Sequence, residues 1–166
     1  MMKTTILTPQ QIEQKINRLA FQVYENNYKE EEIVIAGISG KGFLLAKRIA
    51  AKLEQISPFK LMIGELKINK DHPLSEPVGF PFKEKELKGK AVFLVDDVIN
   101  SGRTMIYGVK YLLNFPLKQL RTIVMVERSH NIFPIRADYV GLKLSTTLQD
   151  HVSVELEKGR VTVYLQ

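Results

Sequence analysis

"VFLVDDVINSGRTM", residues 92–105, carries an apolar run into two adjacent carboxylates, Asp96 and Asp97, and then into Asn100-Ser101-Gly102-Arg103-Thr104. A short unbroken apolar stretch, here 91–95, is the pattern of a strand covered on both faces. The residues after Gly102 recur at helical spacing and predict a helix over about 103–114. A glycine, two hydroxyls and open backbone N–H groups at the head of a helix suit the three oxygens of a phosphate monoester. Two acids beside such a turn would repel phosphate unless they hold another part of the same ligand. The vicinal hydroxyls of a ribose, or a Mg²⁺ on them, meet that need. Taken singly, the turn reads also as a helix cap without ligand, and the acid pair as solvated.

Outward from this stretch the chain alternates. Thr8-Pro9-Gln10-Gln11 opens a helix with a capping box and Pro at its first position, and Ile12, Ile16, Leu19, Ala20 and Val23 follow at helical spacing up to Asn26-Asn27. "IVIAGI" (33–38) reads as a buried strand, Ser39-Gly40-Lys41-Gly42 as a turn, and Phe43, Leu44, Ala46, Ile49, Ala50 and Leu53 as a helix face. Glycines at a strand-to-helix turn free the backbone to face an anion, although alone this one is first of all a tight turn. It is not a Walker A loop, because Gly42 follows Lys41 where Ser or Thr is required. "LMIGEL" (61–66) and "TIVMVE" (122–127) are further strands. Residues 69–90, with Pro73, Pro77, Pro81 and alternating Lys and Glu, read as a long, mobile, solvated loop or loose hairpin. Residues 128–141 read as irregular, and "VSVELEKGRVTVY" as a hairpin turning at Lys158-Gly159. The pattern is α/β: a mostly parallel sheet flanked by helices, a mobile loop and a C-terminal hairpin.

Composition bounds the function. The 166 residues suit one domain over 1–166, and 45% of them are apolar. No apolar run approaches the ~18 residues of a membrane span, and no secretory h-region opens the chain, so a cytoplasmic protein without membrane contact is expected. There is no cysteine, and His72, His130 and His151 lack metal-ligand spacing. Lys plus Arg is 24 against 18 acids, a net +6 that favours phosphorylated small molecules or RNA. A receiver-like signalling domain also sets acids at a strand end, but at its first strand, not after some ninety residues of α/β structure.

V-F-L-V-D-D-V-I-N-S-G-R-T resembles the 5-phosphoribosyl 1-diphosphate (PRPP) signature of the type I phosphoribosyltransferases. The likeness extends to 37–56, 63–68 and 133–141 with the tail, where the chain is most similar to the bifunctional pyrimidine-operon attenuator/uracil phosphoribosyltransferase branch. The resemblance implies a Mg²⁺-dependent transferase in which a nucleobase displaces pyrophosphate from ribose C1, giving a nucleoside monophosphate. It implies that Asp96 and Asp97 hold the ribose diol directly or through Mg²⁺, and that Asn100, Ser101, Gly102, Arg103 and Thr104 hold the 5′-phosphate. Ser39, Gly40, Lys41 and Gly42 would hold pyrophosphate, Arg128 and Arg136 would lie near pyrophosphate and base, and Tyr139 and Val140 would flank the base. A homodimer is the expected assembly.

Three stretches depart from the family pattern. Lys41 stands in a loop that usually reads T-R-G; Asn69-Lys70-Asp71-His72-Pro73 replaces a Tyr-Arg-Asp stretch; and Ser129-His130-Asn131-Ile132 replaces the attenuator's G-H-R-E. The last removes an arginine of the kind that contacts RNA phosphate, so RNA is expected to be a weak partner at most. Many purine-type members carry an Asp where this chain has Asn100. An Asn has no basic form, and uracil is the favoured base. The alternatives are an RNA-binding regulator with little catalysis and a hypoxanthine/guanine transferase.

Overall fold

The computed structural model describes residues 3–158 and 160–166, and of Arg160 the backbone alone. The turn expected at Lys158-Gly159 therefore lies in part outside the described residues. Among these, twelve elements run β1 (Thr4–Leu7), α1 (Pro9–Asn27), β2 (Glu32–Ile38), α2 (Lys41–Ile56), β3 (Lys60–Leu66), α3 (Glu84–Leu87), β4 (Ala91–Ile99), α4 (Arg103–Leu112), β5 (Gln119–Arg128), β6 (Tyr139–Leu144), β7 (Val152–Glu157) and β8 (Arg160–Leu165). Five of the strands form a parallel sheet in the order β3-β2-β4-β5-β6. The other three form a small antiparallel sheet, β1-β8-β7.

Alternation along the strands divides the core. Ile33, Ile35, Phe93, Val95, Ile123 and Met125 face α1 and α2, and the inner face of the small sheet (Val152, Val154, Leu156, Val163) closes that layer. Val34, Ala36, Val92, Leu94 and Val124 face the other way, onto Leu87, Met105 and Leu112 of α3 and α4. α1 begins as its sequence dictates: Thr8 Oγ1 accepts the Gln11 N–H at 3.2 Å, and Gln11 Oε1 accepts the Thr8 N–H at 2.9 Å. No helix among the described residues is long and apolar enough to cross a membrane.

Four expectations change. β4 continues through the acids to Ile99, because Asp96, Val98 and Ile99 keep their register with Val124, Val126 and Glu127 of β5. Residues 128–141 are not irregular throughout, since β6 begins at Tyr139 and forms the sheet edge. The 69–90 stretch is only in part a solvated loop. Lys67 bridges Gly79, Phe80 and Phe82 pack beneath the sheet, and Glu84–Leu87 makes a helical turn that buries Leu87. On α2, Leu45 is buried where Phe43 and Leu44 were expected, and those two are half-buried.

Candidate active site

From β2 the chain passes through α2 to β3 on one side, while β4 lies on the other side of β2. Connections that diverge in this way open a crevice at the carboxyl ends of the strands, the usual ligand position in such sheets. The glycine turn after β2 and the acids of β4 meet there. A Cβ on Gly42 would lie 2.8 Å from Asp96 Oδ1 and 3.0 Å from the Val95 carbonyl oxygen, so only glycine lets the head of α2 come this close to β4. The Ser39 N–H ties the same turn to β3 through the Leu66 carbonyl, at 2.9 Å.

Asp96 is only 4% exposed. Its Oδ1 accepts the Asp97 N–H at 2.8 Å, and Lys70 Nζ stands 3.8 Å away. Burial, and then the neighbouring charge of Asp97, hold the Asp96 carboxyl well above the usual carboxylate range; Lys70 opposes this. The acids were expected where the apolar strand ends, at the rim of the sheet. Because β4 runs on past them, Asp96 is inside the sheet and Asp97 half-buried beside it.

The turn after β4 is built against the 131–135 segment. The Ser101 carbonyl accepts the N–H groups of Ile132 (2.8 Å) and Phe133 (3.0 Å), and Ser101 Oγ accepts the Arg103 N–H at 3.2 Å. Gly102 has φ +89°, and a Cβ there would fall 2.7 Å from Ile135 Cγ2, so glycine is required twice over. The Arg103 guanidinium lies over the Phe133 ring, 5.7 Å from its centre. With the Arg103 N–H taken by Ser101 Oγ, α4 starts with the N–H groups of Thr104 and Met105 open. A cavity of about 250 Å³ faces them, lined by Lys70, Asp71, Asp96 and residues 98–105.

Asp96, Asn100, Ser101, Gly102, Arg103 and Thr104 are therefore brought together, with Gly42 behind Asp96. Asp97 stands beside Asp96 and Arg128 behind Asn100, whereas Lys41, Arg136, Tyr139 and Val140 stand elsewhere. Lys41 donates to Ser153 Oγ at 3.4 Å and lines a separate cavity with Leu44, Glu155, Leu156 and Glu157. Arg128 is buried, and its guanidinium donates to Asn100 Oδ1, Thr146 Oγ1, and the Thr147 and Asp150 carbonyls. Arg136 is exposed on the wall of another cavity, formed by residues 131–136. Tyr139 is a core residue: its ring is 6.3 Å from that of Phe93, and its hydroxyl accepts from Asn26 and Asn27 at the end of α1. Arg18 of α1 donates to the Val140 and Gly141 carbonyls. Lys70 and Asp71 were missed as cavity residues. Their signal was position, a charged pair just past the end of a parallel strand.

Among the described residues no three acidic or histidine side chains converge on a metal position. Asp96 and Asp97 are hard oxygen donors, suited to Mg²⁺ that completes its shell with water and substrate oxygens.

The phosphoribosyl transferase domain family matches residues 2–158. Curated relatives named Bifunctional protein PyrR include that of Streptomyces coelicolor, 36% identical over 96% of this chain and 88% of the relative. Those of Pediococcus pentosaceus and Bacillus subtilis are each 32% identical, over 92% and 94% of this chain and 92% and 91% of their own. The hypoxanthine phosphoribosyltransferase of Trypanosoma cruzi superposes with a TM-score of 0.81 at 13% identity, covering 98% of this chain and 95% of that one. A hypoxanthine-guanine phosphoribosyltransferase of Bacillus anthracis gives 0.69 at 21% identity, covering 85% and 83%. At these identities the two structures speak for the fold alone.

Proposed function

The chain belongs to the phosphoribosyl transferase family and acts on PRPP, and we propose that it joins uracil to PRPP, yielding UMP and pyrophosphate. One observation carries the assignment of the site: Asp96 and the Asn100–Thr104 turn line a single cavity at the carboxyl end of β4. The choice of uracil rests on the relatives named PyrR, on the resemblance of 133–141 to the uracil-using branch, and on Asn100, which has no basic form.

In this reading the 5′-phosphate lies at the head of α4, on the N–H groups of Thr104 and Met105 and the hydroxyls of Ser101 and Thr104. The ribose diol lies on Asp96 and Asp97. Pyrophosphate lies at the head of α2 on Ser39, Gly40 and Gly42, where the backbone of Gly40 (φ +85°) has open space around it. Lys41 adds charge by leaving Ser153. As uracil N1 bonds to C1 and releases its proton to water or to the departing pyrophosphate, the C1–oxygen bond to pyrophosphate breaks and positive charge gathers on the ribose ring, close to the acid pair. Mg²⁺, held by Asp96 and Asp97 together with substrate oxygens, would neutralise the departing pyrophosphate. Base recognition is assigned to the 128–136 segment, which packs on the turn through Ser101 and Gly102. Tyr139 and Val140 are left with a packing role.

A second reading, an RNA-binding regulator with little catalysis, draws on the net charge of +6. Against it, Asn131 is tied within its own loop, its Nδ2 donating to the Ile135 carbonyl. UMP formation from PRPP and uracil, run beside an RNA gel shift, separates the two. No UMP with a retarded RNA band would overturn the transferase assignment.

A further inference from the structure

We propose that Asn100 is a specificity-determining residue that turns its amide N–H groups toward the substrate, and that Arg128 is the positioning residue that sets this polarity. The proposal rests on the transferase reading above. Arg128 is 7% exposed, and its Nη1 lies 2.8 Å from the Asn100 side-chain oxygen. A guanidinium has no acceptor, so the atom it meets is the amide oxygen, whichever way the amide is first drawn. The guanidinium itself is pinned: Nε donates to Thr146 Oγ1 at 2.9 Å, and Nη2 to the Asp150 and Thr147 carbonyls at 2.8 and 3.2 Å. Turning the Asn100 amide over would set its NH₂ against a fixed donor. What remains is Nδ2, without a partner among the described residues, on an exposed side chain that lines the cavity. The substrate atom it meets is therefore an acceptor. A ligand with an N–H or O–H at that point leaves two donors face to face and is rejected.

The acceptor is an oxygen of the phosphoribosyl group or an unprotonated atom of the base, and calorimetric titration of the full chain with ribose 5-phosphate, uridine and UMP distinguishes them. Asn100→Asp keeps the size and the Arg128 contact but turns the cavity-facing atom into an anionic acceptor. UMP is expected to bind about tenfold to a hundredfold more weakly to it, the scale of losing a charge-assisted hydrogen bond. An equal loss for ribose 5-phosphate locates the acceptor on the phosphoribosyl group. A loss confined to uridine and UMP locates it on the base. UMP binding as tight as in the unaltered chain, or tighter, overturns the proposal.

The part played by Arg128 is tested by Arg128→Lys against Arg128→Gln. Both lose the fork that clamps residues 146–150, so both lose thermal stability. Lys still only donates, whereas Gln also accepts and lets the Asn100 amide turn over. The loss of UMP affinity is expected to be several-fold smaller in Arg128→Lys. Equal losses in the two variants would make Arg128 merely structural and overturn its positioning role. If the unaltered chain binds neither UMP nor ribose 5-phosphate, the transferase reading fails, which is seen before any variant is made.

Discussion

Gly42 and Asp96 touch: a Cβ on the first would sit 2.8 Å from a carboxylate oxygen of the second. The head of α2 and the acid strand are thereby joined, and the turn assigned to pyrophosphate cannot move independently of the acids assigned to ribose. Gly42→Ala adds one methyl group where Val95 backbone and Asp96 leave no room. Overpacking of this kind costs about 1–3 kcal/mol, or about 2–4 °C in Tm per kcal/mol for a chain of this size. PRPP turnover should fall with it. Gly40→Ala, with open space around it but φ +85° and ψ −127°, a region essentially confined to glycine, should cost about 1–3 kcal/mol of backbone strain without touching Asp96. Thermal melts check the contact; an unchanged Tm in Gly42→Ala would deny it its importance.

Asp96→Asn should stabilise the ligand-free protein at neutral pH while abolishing turnover. The folded-state pKa of Asp96 is raised, first by burial. Its stability contribution is therefore full below the unfolded pKa and is lost as pH rises toward the folded value, where the buried carboxylate must ionise. Removing that charge raises Tm near pH 7, and the gain over the unaltered chain shrinks as pH falls into the ordinary carboxylate range. Scanning calorimetry across pH, with a chelator present, measures it. A Tm that drops at neutral pH would contradict the burial argument. Replacing Asp96 and Asp97 together by Asn should likewise leave a folded chain without PRPP turnover.

Thr104→Val removes a hydroxyl at nearly constant volume from the turn that heads α4. PRPP and UMP should weaken by about 1–3 kcal/mol, the range for a hydrogen bond to a charged group, and uridine should bind poorly to both proteins. Equal affinity of the unaltered chain for uridine and UMP would remove the 5′-phosphate from this turn.

The net charge of +6 should give weak RNA binding that fades steeply with salt and shows little sequence preference. Gel shifts at two salt concentrations test this. A tight complex with one leader RNA at physiological salt would restore the regulatory reading.

The sheet was largely legible because β2 and β4 are unbroken apolar runs, and α1 because Thr8 and Gln11 spell its cap. β6 was not, since "YVGLKL" is split by a glycine and lies at the sheet edge, where one side need not be apolar. β4 seemed to stop at Val95 because adjacent acids read as an exit from the core. Register with β5 carries the strand on through Asp96, and no local pattern reports register. The turn assigned to phosphate and the acid pair were expected from local chemistry. Tyr139 was expected beside a base, but a strand residue's face depends on strand boundaries, and its ring packs toward Phe93 and α1. Lys70 needed the tertiary fold to bring a loop beyond β3 within 3.8 Å of Asp96.

Base choice is the most direct test of the proposed reaction. Pyrophosphate release from PRPP should be measured with uracil, hypoxanthine, guanine, adenine and orotate, each over a range of concentrations. With Asn100 held as a donor by Arg128, no side chain at that position can act as a base toward a purine ring proton. kcat/KM with uracil should exceed that with hypoxanthine or guanine. Turnover of a purine with no detectable uracil activity would contradict the assignment and move the protein to the purine-using transferases.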